Sequence, residues 1–167
     1  MISCIVDTLT FEFEDSWTVS KYDDWSFYRN RFSRIKNGIS AVDIVAVSPG
    51  RGAWLIEAKD YRKSRQVKSD ELINALVEKV LDTLAAMIPA KINGDVDRET
   101  FVATKVSSAT ALRIVFHIEQ QANESRIRPR MVIPNLQEKL RQKLKWIDPH
   151  LLVVEMDNMR GLPWRVN

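Results

Sequence analysis

The sequence predicts an α/β fold, a central mixed sheet packed between helices, with residues 1–167 forming one domain. Three observations carry this. Ala41–Arg62 reads as an apolar β-hairpin. A long amphipathic helix follows at once. The chain then alternates strand, helix and strand with short connections, and strands joined through helices pair in parallel. Antiparallel pairing within the hairpin and parallel pairing after it make the sheet mixed.

The N-terminal third opens with Thr10–Asp24, which is acidic and aromatic. Phe11 and Phe13 alternate with Glu12 and Glu14, and Trp17, Val19 and Lys21 continue the period of two, so this stretch is extended. Trp25, Phe27, Tyr28 and Phe32 then cluster with Arg29, Arg31 and Arg34. Aromatics are core residues before they are base-stacking platforms, so the cluster reads as packing, with arginine stems over the rings. No helix is evident before Asp24. Lys36-Asn37-Gly38 is a turn.

In the hairpin, Val42, Ile44, Val45 and Val47 lead to Ser48-Pro49-Gly50-Arg51-Gly52, and Trp54, Leu55 and Ile56 lead away. β-Branched and aromatic residues favour strands. Proline presets φ for the turn and glycine permits positive φ. The runs are too apolar for a sheet with one wet face, so at least one strand is buried on both sides.

After the hairpin, Arg62, Lys63, Arg65 and Lys68 form a basic run that reads either as a solvated loop or as phosphate contacts beside a site. Ser69 is a good N-cap, with Asp70 and Glu71 in the first turn where the helix dipole favours acids. Leu72, Ile73, Leu76, Val77, Val80, Leu81, Leu84 and Ile88 recur at helical spacing over about five turns. Pro89 and Asn93-Gly94 are the stop signals, and Glu78 and Lys79 read as surface residues. Asn93–Ser108 is polar and reads as a loop. Ala109–Gln120 is a strand with Leu112, Ile114, Phe116 and Ile118 on one face and Arg113, Val115, His117 and Glu119 on the other. His117 reads as a hydrogen-bonded histidine or as an auxiliary to a nearby metal. Arg126–Arg130 is a basic connector. Asn135 caps a helix over Leu136–Trp146 with Leu136, Leu140 and Leu144 inward. Asp148-Pro149 ends it, Leu151–Met156 is the last strand, and Gly161–Trp164 is a tail.

The chemistry concentrates in the hairpin. Asp43 sits in the first apolar run, Glu57 and Lys59 in the second. Residues two apart on a strand share a face, so Glu57 and Lys59 point the same way, and Asp43 joins them if the hairpin register agrees. Buried charges are costly unless paired or bound to a metal. Two carboxylates can hold a hard divalent ion and a lysine can serve a water beside it. Asp43, thirteen intervening residues, then Glu57-Ala58-Lys59 resembles the PD-(D/E)xK, restriction-endonuclease-like phosphodiesterase superfamily. Val42 stands where that motif has proline. The resemblance implies a restriction-endonuclease-like α/β/α sandwich. It implies Mg²⁺ (or Mn²⁺) held by Asp43, Glu57 and the Ala58 carbonyl, with Lys59 serving the nucleophilic water. It also implies an acid from the N-terminal region, for which Glu14, Asp15, Asp23 and Asp24 are the local candidates. The bland alternative is an edge hairpin with an outward Glu57–Lys59 pair.

The remaining composition narrows the function. With 45% hydrophobic and 28% charged residues the chain is an ordinary globular one, and no apolar run reaches the length of a membrane span. The N-terminus lacks a basic leader, and the single Cys4, a packing residue by its apolar setting, fits a reducing compartment. Both point to the cytoplasm. The net charge of +3 is unevenly spread, since residues 1–30 carry six acids and residues 126–145 seven bases. That asymmetry suits a nucleic-acid face. The expectation is a metal-dependent nuclease acting on DNA, targeted by a partner or acting as a homodimer. The alternative is a non-catalytic nucleic-acid-binding or assembly protein that keeps the nuclease-like fold.

Overall fold

Alternation of apolar and polar residues early in the chain, and unbroken apolar runs in the middle, divide the strands between two sheets. The computed structural model describes residues 1–63, 68–122 and 130–167. In chain order the elements are β1 (Ile2–Val6), β2 (Leu9–Phe13), β3 (Thr18–Lys21), α1 (Ser26–Asn30), β4 (Ile44–Val47), β5 (Gly52–Asp60), α2 (Ser69–Asn93), α3 (Asp97–Ser107), β6 (Ala111–Glu119), α4 (Ile133–Leu144), β7 (Leu152–Val154) and β8 (Arg165–Val166). The larger sheet has the order β3-β4-β5-β6-β7, and the smaller one β1-β2-β8. β3, β4 and β5 pair antiparallel, whereas β5, β6 and β7 pair parallel. The fold is therefore mixed α/β around a five-stranded mixed sheet, as the hairpin and the crossovers predict.

The layering differs from the expected helices on both faces. One face of the large sheet, bearing Val45, Leu55, Ile114, Phe116 and Ile118, packs on Leu72, Leu76 and Val80 of α2, Val102 of α3 and Leu140 of α4. The other face, bearing Ile44, Ile56, Ala58 and Val115, packs on Phe11, Phe13, Trp164 and Val166, which belong to or flank the small sheet. The molecule is thus helix, sheet, sheet. The alternation of Phe11 and Phe13 with Glu12 and Glu14 explains the third layer: β2 is greasy on one side only. Each of its buried rings contributes roughly 1.5–3 kcal/mol of burial.

β4 is buried at every position and β5 through its middle, from Leu55 to Ala58. The turn between them closes with Arg51 N–H donating to Ser48 O at 2.9 Å and Gly52 N–H to Ser48 Oγ at 3.1 Å. The left-handed residue is Arg51, at φ 62°, and neither Gly50 nor Gly52.

Several boundaries correct the sequence reading. α2 runs 25 residues, straight through Pro89. Proline there removes a bond to the carbonyl of Ala85, and Ala85 is exposed, so that carbonyl is open to solvent and the break costs little. Asn93–Ser108, expected as a loop, contains α3. Its buried Glu99, Val102, Ala103 and Val106 form a helical stripe too narrow to stand out among polar neighbours. Gly94 joins α2 to α3, and a Cβ there would lie 2.4 Å from Ala90 O. α4 begins at Ile133 with a proline in its first turn, ahead of Asn135, and ends at Leu144. β7 is shorter than expected, and β1 and β8 appear where no strand was assigned. No helix among the described residues is long and apolar enough to cross a membrane.

Candidate active site

The β4–β5 ladder pairs Val47 with Ala53, Ala46 with Trp54, Val45 with Leu55 and Ile44 with Ile56. One step further sets Asp43, just outside β4, opposite Glu57. Both belong to the face that packs on the helices, since Val45 and Leu55 do. Residues opposite one another have Cβ atoms ~5 Å apart. The register that the sequence left open is the one that brings the two acids together.

Asp43 Oδ2 accepts a 2.7 Å bond from the Ala58 N–H, which fixes the carboxylate against the hairpin. Its carbonyl accepts from Tyr22 N–H at 2.8 Å, drawing the turn after β3 into the same corner. Glu57 is 2% exposed. Its Oε1 accepts from Lys59 Nζ at 2.8 Å and from Lys79 Nζ at 2.6 Å. Its Oε2 is buried and has no hydrogen-bond partner. Burial first, and then the neighbouring Asp43, push the Glu57 carboxyl up to about 7, and the two ammonium groups offset only part of this. For Lys59 the balance reverses. Burial works against its charge, but Glu57, joined by Asp43 and Tyr61, outweighs burial and holds the ammonium above its ordinary value. Tyr61, buried on the same side, has its hydroxyl raised by burial, with Glu57 adding and Lys59 opposing.

Of the four N-terminal acids considered, the structure brings Asp23 to this corner. Burial raises its pKa, Asp43 adds to the rise and Lys21 opposes it. Its Oδ1 is buried without a partner. Asp24 instead pairs with Arg29 and Lys21 at the surface, and Asp15 pairs with the N-terminal ammonium.

These atoms suit a hard divalent ion. The donors are all oxygen, two carboxylates face each other across the hairpin, and one buried oxygen of each of Glu57 (Oε2) and Asp23 (Oδ1) lacks a partner. Among the described residues, no group of three or more His, Cys, Asp and Glu side chains is arranged to hold a metal. A Mg²⁺ ion at Asp43 and Glu57, with Ala58 between Glu57 and Lys59, would therefore keep several waters, as that ion does in most sites.

The structure corrects one assignment and separates others. Lys79 is not a surface residue, since its ammonium ends on Glu57. It lies seven residues after Leu72 and three after Leu76, on the buried stripe of α2, and a lysine on that stripe was the signal available in the sequence. His117 is fully buried on the opposite face of the sheet, edge-on to Phe11 with ring centroids 5.4 Å apart, and bound to Glu119 at 2.8 Å. Arg62 is taken up by Asp60 through Nε at 2.9 Å and Nη2 at 2.7 Å, away from the site. Lys63 and Lys68 are exposed. Arg65 lies outside the described residues, as do Arg126 and Arg128 of the expected basic connector.

No family model matches the chain, and no solved structure matches it. A cysteine–tRNA ligase of Neisseria meningitidis is 27% identical over 203 aligned positions, covering 95% of this chain. The chain spans 29% of that relative's length.

Proposed function

We propose that the chain is a metal-dependent phosphodiesterase acting on nucleic acid, with a restriction-endonuclease-like hairpin–helix–strand unit at its centre. The observation that supports this most directly is Glu57: a buried carboxylate facing a second acid, with one oxygen left without a partner. Structural acids in this protein are treated otherwise. Glu99 accepts from Ser26 and Phe27 N–H, and Asp148 from Ile114 and His150 N–H.

Asp43 and Glu57 would hold the ion, with Asp23 near enough to add charge. Mg²⁺ bound there supplies a water of lowered pKa and offsets charge building on the phosphate. Lys59, on the same face as Glu57, holds its proton and orients the attacking water. Lys79 neutralises Glu57 from the helix side. DNA is the first substrate to offer. The name of the Neisseria relative adds tRNA as a second.

The two lysines on Glu57 Oε1 favour one other reading, a nucleic-acid-binding protein in which an internal ion pair replaces the metal. Calorimetry separates them: wild type should bind Mg²⁺ or Mn²⁺ at millimolar concentration, and Asp43→Asn or Glu57→Gln should not. Single-turnover cleavage of plasmid, linear and branched DNA and of tRNA should then fall roughly 10²–10⁴-fold in Lys59→Ala with ion binding kept. The exposed Lys36→Ala serves as control. Equal rates in wild type and Lys59→Ala would remove the lysine from the mechanism, and absence of ion binding by wild type would select the ion-pair reading.

A further inference from the structure

α4 carries a second surface with its own chemistry. A groove of about 400 Å³ runs along its outer side, lined by Pro134 and Glu138 near one end and by Arg141, Lys145 and the facing Arg160 toward the other. From Pro134 to Lys145 the helix rises roughly 16 Å, at 1.5 Å per residue. Three cations face one acid. Arg141 is held in place through its Nε, which donates to Leu151 O at 3.0 Å and leaves the rest of the guanidinium for a ligand. Arg160 has no hydrogen-bond or ion-pair partner among the described residues.

Just past the end of α4 stands Trp146, 88% exposed. Lys145 Nζ lies 5.1 Å from the centroid of its ring. An indole left this bare sacrifices the burial that the other tryptophans obtain. Trp17, Trp25 and Trp164, for comparison, are each at most 7% exposed. α4 connects two parallel strands, so it runs opposite to them. Its first turn lies at the end of the sheet where β5 carries Glu57 and Lys59, and its last turn at the far end.

We propose that the α4 groove binds single-stranded polynucleotide, with Arg141, Lys145 and Arg160 on phosphates and Trp146 stacking an unpaired base. Charge selects a polyanion, and an exposed indole beside Lys145 at the end of the cationic groove selects one whose bases are free to stack. A duplex keeps its bases within the stack, so it would engage the cations but not Trp146. This surface does not depend on the reading of Asp43 and Glu57. Wild type that binds no oligonucleotide overturns the surface, whereas failure to cleave with binding intact overturns the other reading.

The test is fluorescence anisotropy of the full chain with short labelled oligothymidine, oligouridine and a DNA duplex at low salt. Trp146→Ala should weaken both single strands roughly 5- to 150-fold and the duplex little. Lys145→Gln with Arg160→Asn, the latter chosen because Arg160 has φ 50° and asparagine tolerates it, should weaken all three probes and flatten the salt dependence by about 0.7 per lost phosphate contact for the single strands. Lys143→Gln, exposed on α4 but off the groove, should change far less. The ratio between the two single strands shows whether DNA or RNA is preferred. Wild type that ignores every oligonucleotide, equal affinity of Trp146→Ala for the single strands, or sedimentation showing self-association through Trp146 without nucleic-acid binding would each overturn the proposal.

Discussion

The two faces of the large sheet handle buried charge in opposite ways. On the face toward the small sheet, Glu119 Oε1 accepts from His117 and from Met156 N–H at 2.7 Å. Burial raises this carboxyl, but those hydrogen bonds outweigh it and the pKa settles below the ordinary range. Asp60, on the same side, is held low chiefly by Arg62, with Thr8 assisting. Among the described residues, the side-chain atoms left buried without a partner there are ring nitrogens, His117 Nδ1 with Trp54 Nε1 and Trp164 Nε1, and not carboxylate oxygens. On the helix face, Asp43, Glu57 and Asp23 crowd together, and the pKa values of Glu57 and Asp23 move up. Acids that are fully hydrogen-bonded lower their pKa and hold the fold. Glu57 and Asp23, buried and set beside Asp43, are raised. Glu57 and Asp60 lie three residues apart on one strand, so composition does not separate the two roles; the direction each side chain faces does.

The largest effect expected from this contrast is on rate. On the proposed function, Glu57→Gln should abolish cleavage while the protein remains folded. Glu119→Gln should leave cleavage per folded molecule near wild type and destabilise the protein by ~1–3 kcal/mol, because it disturbs a satisfied buried acceptor. Single-turnover rates beside urea melts of both variants measure the contrast. A Glu57→Gln protein that cuts normally, or a Glu119→Gln protein that stays stable but inactive, would exchange the roles of the two faces.

A smaller effect is the pH dependence of stability without metal. The folded pKa of Glu57, about 7, lies above the ordinary 4.5, so the native state binds the proton more tightly than the unfolded state. Its contribution is therefore fully present below about 4.5 and lost as pH rises through about 7. Relative to Glu57→Gln, wild type should lose roughly 3 kcal/mol across that window, at 1.36 kcal/mol per pK unit. Above pH 7 the difference should be flat. Saturating Mg²⁺ should reduce the loss by favouring the ionised form. Urea melts at pH 4.5, 6 and 8 measure this, and a difference between the two proteins that is flat across the window would mean that Asp43 and burial do not act on Glu57.

How much of this was legible beforehand depends on the range of the interaction. The hairpin, the mixed sheet and the grouping of Asp43, Glu57 and Lys59 follow from local alternation and a turn, and all are present in the molecule. The register was open in the sequence, because a slip of one residue would turn Asp43 to the other face. Lys79 escaped because a lysine in a helix is usually wet, and only its place on the stripe of Leu72, Leu76 and Thr83 betrays it. α3 escaped because Glu99 counts as polar in any pattern, yet it is buried capping α1. The third layer escaped because β8 is two residues long and its partner, β2, is more than 150 positions away.

The smallest effect separates two adjacent acids, Asp23 and Asp24, between which the sequence offers no choice. Asp24 lies at the surface against Arg29 and Lys21, where an ion pair is worth at most ~1 kcal/mol. Asp24→Asn should therefore lower stability slightly or not at all, and leave ion binding alone. Asp23 is half-buried, and burial together with Asp43 raises its pKa. A raised carboxylate pKa means stability present at low pH and lost as pH climbs through the folded value, so at neutral pH its charge is a net cost. Asp23→Asn should raise the stability of the metal-free protein at pH 7, by well under 1 kcal/mol after solvent screening. It should also weaken divalent-ion binding several-fold. The two substitutions are isosteric and adjacent, and their effects have opposite signs on stability. Paired melts and calorimetry under one buffer condition read both. If Asp23→Asn destabilises the protein and leaves ion affinity unchanged, Asp23 belongs with Glu119 among the structural acids, and the helix-face cluster shrinks to the two acids of the hairpin.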